Sequence, residues 1–211
     1  MTRSINQFIR RVPTWPIYLV TAALIAVHFW LAVSGHYRPD PVRRLEWEYG
    51  LLALQLLILT LAITPLKRFT GVNLMKFRRS LGLSAFFLAL AHLLVWVVLD
   101  MQFLFAQMLT DIAKRPYITV GMAAFAMMLP LAITSSNALI RRLGALRWRR
   151  LHMLVYPLAL LGALHFIWVR KGFQVEPLIY MGVILLLLAL RLPRRGGNRR
   201  VTAAPAGLSA S

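Results

Sequence analysis

The chain has 211 residues, of which 59% are apolar, a composition beyond that of an ordinary soluble domain. It contains no cysteine, which excludes disulfides, thiolate-ligated haem, iron–sulfur clusters and cysteine zinc sites. The formal net charge of +19 suggests nucleic acid, but the basic residues lie between long apolar stretches. This pattern favours a membrane protein with no nucleic-acid partner.

Six apolar stretches follow one another along the chain, and each is close to the ~20 residues that a helix needs to cross a bilayer. They cover residues 15–33, 47–65, 81–99, 116–134, 151–169 and 177–192. In the sixth and shortest stretch, Pro177 suits the first turn of a helix and Arg191 can extend toward the membrane surface. The sequence therefore predicts an all-α, polytopic membrane bundle with six transmembrane helices in residues 15–192.

The segments outside the bundle are short. Residues 1–14 form a basic lead that no small-residue cleavage site follows, so we interpret the first stretch as an uncleaved anchor. Residues 193–211 combine basic residues with Gly196, Gly197 and Pro205, which predicts a disordered tail. These boundaries leave no room for a soluble catalytic domain.

The distribution of charge predicts the topology. Of the 25 Lys and Arg residues, 18 lie in the N-terminal segment, in the second and fourth loops between the stretches, and in the tail. The other seven share the first, third and fifth loops with all six acidic residues. The positive-inside rule therefore predicts an inner-membrane protein with both termini in the cytoplasm. Topology and contact with anionic membrane lipid account for the basic clusters, and a phosphate-bearing cofactor is the alternative.

Histidine is the candidate ligand. Four of the five histidines lie within apolar stretches, where an ionisable side chain is costly and usually functional: His28, His92, His152 and His165. His92 lies eight residues before Asp100 and His165 five before Arg170, so both are expected at similar depth in the outer leaflet. Two imidazoles at matched depth on neighbouring helices suit the two axial ligands of a haem iron. A proton or metal pathway is the alternative, although it would normally include mid-span carboxylates.

His152 is expected near the inner surface. It lies 13 residues before His165, which is about 20 Å along an ideal helix and roughly 140° around it. Pro157, between them, can kink the helix and bring the two faces closer. At the same depth on the third stretch lie Arg78 and Arg79, so an inner haem would lack an opposite ligand from this pattern.

The other two histidines are less informative. His28 lies in the outer leaflet and is compatible with three roles: a further ligand, a hydrogen-bond partner for a propionate, or a buried histidine bonded to a helix carbonyl. His36 lies in the first loop and is expected to be solvated.

Five local strings resemble a known family. They are RRSLGL (78–83), AHLLVW (91–96), RPYITVG (115–121), LGALRWRRLHMLVYPLALLGALHFIW (143–168) and PLIYMGVILLLLALR (177–191). They are similar to the MsrQ (YedZ) family, the haem-binding membrane subunits of a periplasmic protein-methionine-sulfoxide reductase, within the ferric-reductase-like transmembrane group. The resemblance covers roughly residues 40–192, and the string with two histidines is its most specific part.

The resemblance implies a function and a set of sites. Electrons from quinol would pass through haem b, and FMN, to a soluble periplasmic molybdopterin subunit that reduces methionine sulfoxide in oxidised proteins. The family's histidines match His92, His152 and His165. Arg78 and Arg79 are candidates for an inner site with His152, where arginine would pair with a flavin phosphate or a haem propionate; a role in topology alone is the alternative.

The resemblance also implies a division of labour. Ferric reductases and NADPH oxidases have a C-terminal flavin and nicotinamide domain, which is not expected here, so a separate donor and a separate catalytic partner are expected. Two alternatives stay open: a stand-alone ferric or metal reductase component of the membrane, and a non-redox protein such as a histidine-dependent transporter or a structural anchor.

Overall fold

The computed structural model describes residues 2–170 and 174–191, and the regular structure in these ranges is helical. The helices are α1 (Thr2–Arg11), α2 (Trp15–Val33), α3 (Pro41–Thr70), α4 (Arg78–Leu94), α5 (Phe105–Lys114), α6 (Pro116–Ile133), α7 (Asn137–Leu143), α8 (Ala145–Leu151), α9 (Val155–Val169) and α10 (Val175–Ala189). Short 3₁₀ segments precede α4 and join α8 to α9, and α4 continues as a π-helix over Val95–Asp100. The predicted tail, residues 193–211, lies outside the described residues.

The predicted fold class, an all-α bundle of membrane helices, is confirmed. Five helical stretches are long and apolar enough to cross a bilayer: Trp15–Val33, Pro41–Thr70, Met75–Asp100, Pro116–Ile133 and Ala145–Val169. The sixth, Val175–Ala189, is apolar but only 15 residues long. Its predicted last residue, Leu192, lies outside the described residues.

The helix ends follow local chemistry as well as apolar length. Helix α2 matches the predicted 15–33, whereas α3 has 30 residues and exceeds the predicted 47–65 at both ends. Asp40 caps it, since its carboxylate accepts from the backbone N–H of Arg43 at 3.0 Å, and Pro41 occupies the first turn. Gly71, at φ 75°, ends it in the left-handed conformation that glycine adopts without strain.

Helices α1, α5 and α7 lie outside the predicted stretches, and α8 extends the fifth stretch toward its N-terminus. Helices α1 and α5 have ten residues each and α7 has seven, and all three mix polar with apolar positions, so none produces the continuous apolar run that identifies a span. Helix α1 is held by Asn6, whose amide donates to the carbonyl of Gly71 and accepts from the N–H of Asn73. Helix α5 leaves Phe105 and Leu109 more than 60% exposed.

The core joins two antiparallel helix pairs, α3 with α4 and α6 with α9. Helix α10 packs on α9 and α3, and α2 packs on α3 and α4. Alanines at the centre allow close approach of the backbones, as is common between membrane helices. The least exposed core residues are Leu61, Ala85, Leu88, Leu158, Ala159, Ala163 and Ile184.

The connections gather at two ends of the bundle. Contacts join α1, the α3–α4 connection, the α6–α7 connection and the end of α10: Lys76 donates to Arg10 O, Arg79 to Asn137 and Arg68 to Leu190 O. We call this the basic end. The other end, which we call the acidic end, has all six carboxylates: Asp40, Glu46, Glu48, Asp100, Asp111 and Glu176. The segregation of charge predicted from the sequence is thus preserved in the fold.

Candidate functional site

His92 on α4 and His165 on α9 meet in the half of the bundle nearest the acidic end. Their ring centroids are 6.1 Å apart and the ring planes are nearly perpendicular, at 82°. The expected equal depth of the two residues is therefore matched by direct proximity. The two helix pairs each contribute one of these imidazoles.

Both imidazoles are oriented by a backbone carbonyl on the partner helix of their pair. His92 Nδ1 donates to the carbonyl of Glu46 at 2.8 Å, and His165 Nδ1 donates to the carbonyl of Tyr117 at 2.7 Å. Because a carbonyl only accepts, the proton is on Nδ1 of each ring, and Nε2 keeps its lone pair. A histidine held in this way by its other nitrogen is the usual arrangement of a metal ligand.

A glycine lies against each imidazole ring. It is one helical turn beyond the carbonyl that accepts the hydrogen bond from that ring. A Cβ at Gly50, four residues after Glu46, would be 3.1 Å from His92 Nδ1. A Cβ at Gly121, four residues after Tyr117, would be 2.7 Å from His165 Nδ1. The same slot, a carbonyl followed by a glycine at i+4, thus occurs on both helix pairs. The spacing can be seen in the sequence, but it indicates a histidine contact only once the helix that packs against it is known.

His152 lies at the basic end and makes different contacts. Its Nε2 is 3.2 Å from Thr134 Oγ1, and its ring centroid is 4.0 Å from that of Trp148. The Trp148 indole donates to the carbonyl of Thr134 at 3.0 Å, which fixes this group. The predicted irregularity near Pro157 is present as the 3₁₀ segment His152–Leu154, because proline has no N–H for the carbonyl four residues earlier.

The two arginines predicted to lie near His152 have different surroundings. Arg78 is half-buried and lies within electrostatic range of His152, Tyr156 and Arg191. Arg79 is exposed and donates to Asn137 Oδ1 at 2.7 Å, away from His152. The expected grouping of both arginines with His152 is therefore met by Arg78 only.

Sequence reasoning missed the second arginine of this inner group. Arg191 donates to the carbonyl of Leu61 and to Tyr156 Oη, the latter at 3.4 Å, and its guanidinium carbon lies 5.6 Å from the Tyr156 ring centre. The sequence predicts that Arg191 extends toward the membrane surface. Its position at the end of a short helix gave no signal of which neighbours it would meet.

The remaining histidines have local partners. His28 Nδ1 is 2.6 Å from Tyr37 Oη, so this ring bonds to a phenol rather than to a helix carbonyl. His36 is exposed, as expected, and its Nδ1 lies 2.8 Å from Ser34 Oγ.

Comparison with known proteins agrees with this geometry. A family model described as the ferric reductase like transmembrane component matches residues 47–163. The haem-binding subunit MsrQ of protein-methionine-sulfoxide reductase from Xanthomonas campestris pv. campestris (strain 8004) is 43% identical over 205 residues, 95% of this chain and 94% of the relative. The MsrQ subunit of Xanthomonas axonopodis pv. citri (strain 306) is 45% identical over 189 residues, 88% of this chain and 86% of the relative. That of Brucella anthropi is 43% identical over 194 residues, 92% and 88%.

This chain belongs to the MsrQ family. It is a multi-pass protein of the bacterial inner membrane, as its apolar helices and this family membership indicate. The family-model match contains His92 and His152 and ends two residues before His165, and the matches to the MsrQ relatives extend over most of the chain.

Proposed function

We propose that this protein is the membrane electron-transfer subunit of a protein-methionine-sulfoxide reductase system, with haem b held between His92 and His165. The observation that supports this most directly is the pair of imidazoles with Nδ1 bonded to a carbonyl and Nε2 left as a ligand. The printed names of the relatives, which call them haem-binding subunits, point the same way.

The donor set fits haem. Two imidazoles are an incomplete shell for a bare metal ion, which usually takes four ligands, but they are the full axial set of a haem iron. Since metal–nitrogen bonds are about 2 Å long, one iron could take a nitrogen from each ring if the ring centres were roughly 6 Å apart. The observed 6.1 Å is consistent with that spacing.

The residues around the pair supply orientation. The carbonyls of Glu46 and Tyr117 hold both rings in one tautomer and raise the basicity of Nε2. If His92 and His165 held haem, the haem would supply a one-electron carrier, and the two histidine nitrogens would leave no ligand position for a substrate. The bundle is therefore suited to electron transfer, and the final reduction belongs to a partner.

The direction of transfer follows from charge. The positive-inside rule assigns the basic end, and with it both termini, to the cytoplasm and the acidic end to the periplasm. The histidine pair then lies on the periplasmic half, close to a periplasmic molybdopterin subunit that reduces methionine sulfoxide. Electrons would leave at the acidic end.

The electron donor would approach from the basic half. We propose quinol as the donor, and FMN as a further cofactor, near His152, Arg78 and Arg191. Arg78 and Arg191 lie within electrostatic range of each other, and two such guanidinium groups attract a phosphate or a reduced quinone anion. Arg79 is not included, since it bonds to Asn137 at the surface.

The test is reconstitution of the purified protein. We expect a Soret band, a pyridine haemochrome of b type, reduction by quinol, and reoxidation by the periplasmic methionine-sulfoxide reductase subunit. The absence of haem from protein made with ample haem supply would exclude the proposal.

A second candidate is a free-standing metal reductase, which the match to the ferric-reductase-like component favours. Rapid reoxidation of the haem by a ferric chelate, with no response to the reductase subunit, would support this candidate instead.

A further inference from the structure

Two buried hydrogen-bond donors near the histidine pair have no partner among the described residues. They are the indole nitrogen Trp47 Nε1 and the guanidinium nitrogen Arg170 Nε. A buried donor left without an acceptor is costly, and most such groups in folded proteins have one. Two of them side by side indicate an acceptor that binds there.

The donors belong to residues that follow the contacts of the histidine pair along the chain, toward the acidic end. Trp47 follows Glu46, whose carbonyl accepts from His92, and Arg170 ends α9 five residues after His165. The Arg170 guanidinium carbon is 5.5 Å from the centre of the Trp47 ring, so one small ligand can contact both side chains.

The chemistry of the donors selects an anionic acceptor. Arg170 already donates from Nη2 to Glu176 at 3.2 Å, and its Nε remains for a second carboxylate. A neutral indole N–H and a charged guanidinium N–H together match the two oxygens of one carboxylate. A third unpartnered atom, Glu46 Oε1, belongs to the residue before Trp47, and as a carboxyl oxygen it is not a further N–H donor.

Haem has two propionate groups on one edge of its ring, so a haem held by the histidine pair could bring a carboxylate to these donors. We propose that Trp47 and Arg170 bind a haem propionate, so that the propionate edge faces the acidic end. This inference rests on the proposed haem site. It gives Trp47 and Arg170 a role that neither the sequence pattern nor the family resemblance implies.

Arg44 provides a matched control. Its guanidinium carbon lies 4.3 Å from the Trp47 ring, closer than that of Arg170, but it pairs with Glu48 at 2.6 Å and has no unpartnered buried atom. Arg78 at the basic end controls for the opposite orientation of the haem, in which the propionates would point to the inner group.

The experiment compares two haems. Full-length protein from haem-depleted cells is titrated with protohaem and with protohaem dimethyl ester, which lacks the charged carboxylates, and binding is followed at the Soret band. Wild type should bind protohaem roughly tenfold more tightly than the diester, as expected for hydrogen bonds to a charged group. Trp47→Phe keeps an aromatic ring but removes the N–H, and Arg170→Lys keeps the charge but removes the guanidinium N–H. Each variant should reduce the preference for protohaem, whereas Arg44→Gln should keep it.

The outcomes separate the hypotheses. A preference for protohaem that is unchanged in both Trp47→Phe and Arg170→Lys would overturn the inference, as would its loss in Arg78→Gln alone. If wild type binds neither haem, the proposed function itself fails, and a Soret band that keeps the position and intensity of free haem identifies that case. The titration does not depend on turnover, so a defect in partner docking cannot imitate either result.

Discussion

Gly121 lies against the ring of His165, so that a Cβ at residue 121 would be only 2.7 Å from His165 Nδ1. We therefore predict that Gly121→Ala displaces the imidazole from the carbonyl of Tyr117 and lowers haem affinity by roughly 10- to 100-fold, as expected when the support of a metal ligand is lost. Haem titration of the purified variant checks this.

Two other glycines provide comparisons for the effect of Gly121→Ala on haem affinity. At Gly50 the corresponding Cβ would be 3.1 Å from His92 Nδ1, so Gly50→Ala should weaken haem binding less than Gly121→Ala does. A Cβ at Gly182 meets nothing within 4 Å, so Gly182→Ala should bind haem as wild type does. Equal haem affinity in all three variants would contradict the proposed slots.

Removal of a ligand should change the spectrum of the haem as well as its affinity. His92→Ala or His165→Ala leaves one axial nitrogen, so each variant should lose the low-spin, six-coordinate spectrum, measured by absorption and electron paramagnetic resonance. His36→Ala should keep it, because His36 is exposed and bonds to Ser34. His28→Ala should also keep it, since His28 bonds to Tyr37. A low-spin spectrum that persists in His92→Ala or His165→Ala would contradict the assignment of these two residues as the haem ligands.

The sequence predicted those features that depend on a continuous property of the chain. Apolar length identified the spans, and the limits of α2 agree with the prediction to the residue. Counting from charged ends predicted that His92 and His165 lie at one depth, because depth in a straight helix is a simple function of residue number.

Features that depend on rotation around a helix, or on a partner distant in sequence, were not predictable in this way. Arg78 and Arg79 have nearly the same depth but differ by about 100° around the helix, and so they reach different neighbours. The slots at Gly50 and Gly121 depend on which helix faces which histidine. Trp47 is the first residue of a predicted span, and only its unpartnered N–H distinguishes it.

The separation of the two arginines leads to a kinetic prediction. Arg78 is near His152 and Arg191, whereas Arg79 bonds to Asn137 at the surface. Arg78→Gln should slow reduction of the haem by quinol about tenfold, the scale of one lost charge-assisted contact, while reduction by dithionite stays normal. Stopped-flow absorbance at the haem band measures both.

Arg79→Gln is the matched control, since it removes the same charge from the neighbouring residue, and it should retain the wild-type rate with quinol. If the two variants slow the reaction equally, the inner group has no specific role and the arginines act only through surface charge.

The orientation of the bundle gives a prediction that needs no cofactor. The basic end contains α1 and the end of α10, so alkaline phosphatase fused after residue 191 should stay in the cytoplasm and remain inactive. The same enzyme fused after residue 115, beside α5 at the acidic end, should reach the periplasm and be active. Activity measured in intact cells distinguishes the two orientations. The reverse pattern would place the histidine pair on the cytoplasmic half, and electrons could then not leave toward a periplasmic reductase by the route proposed here.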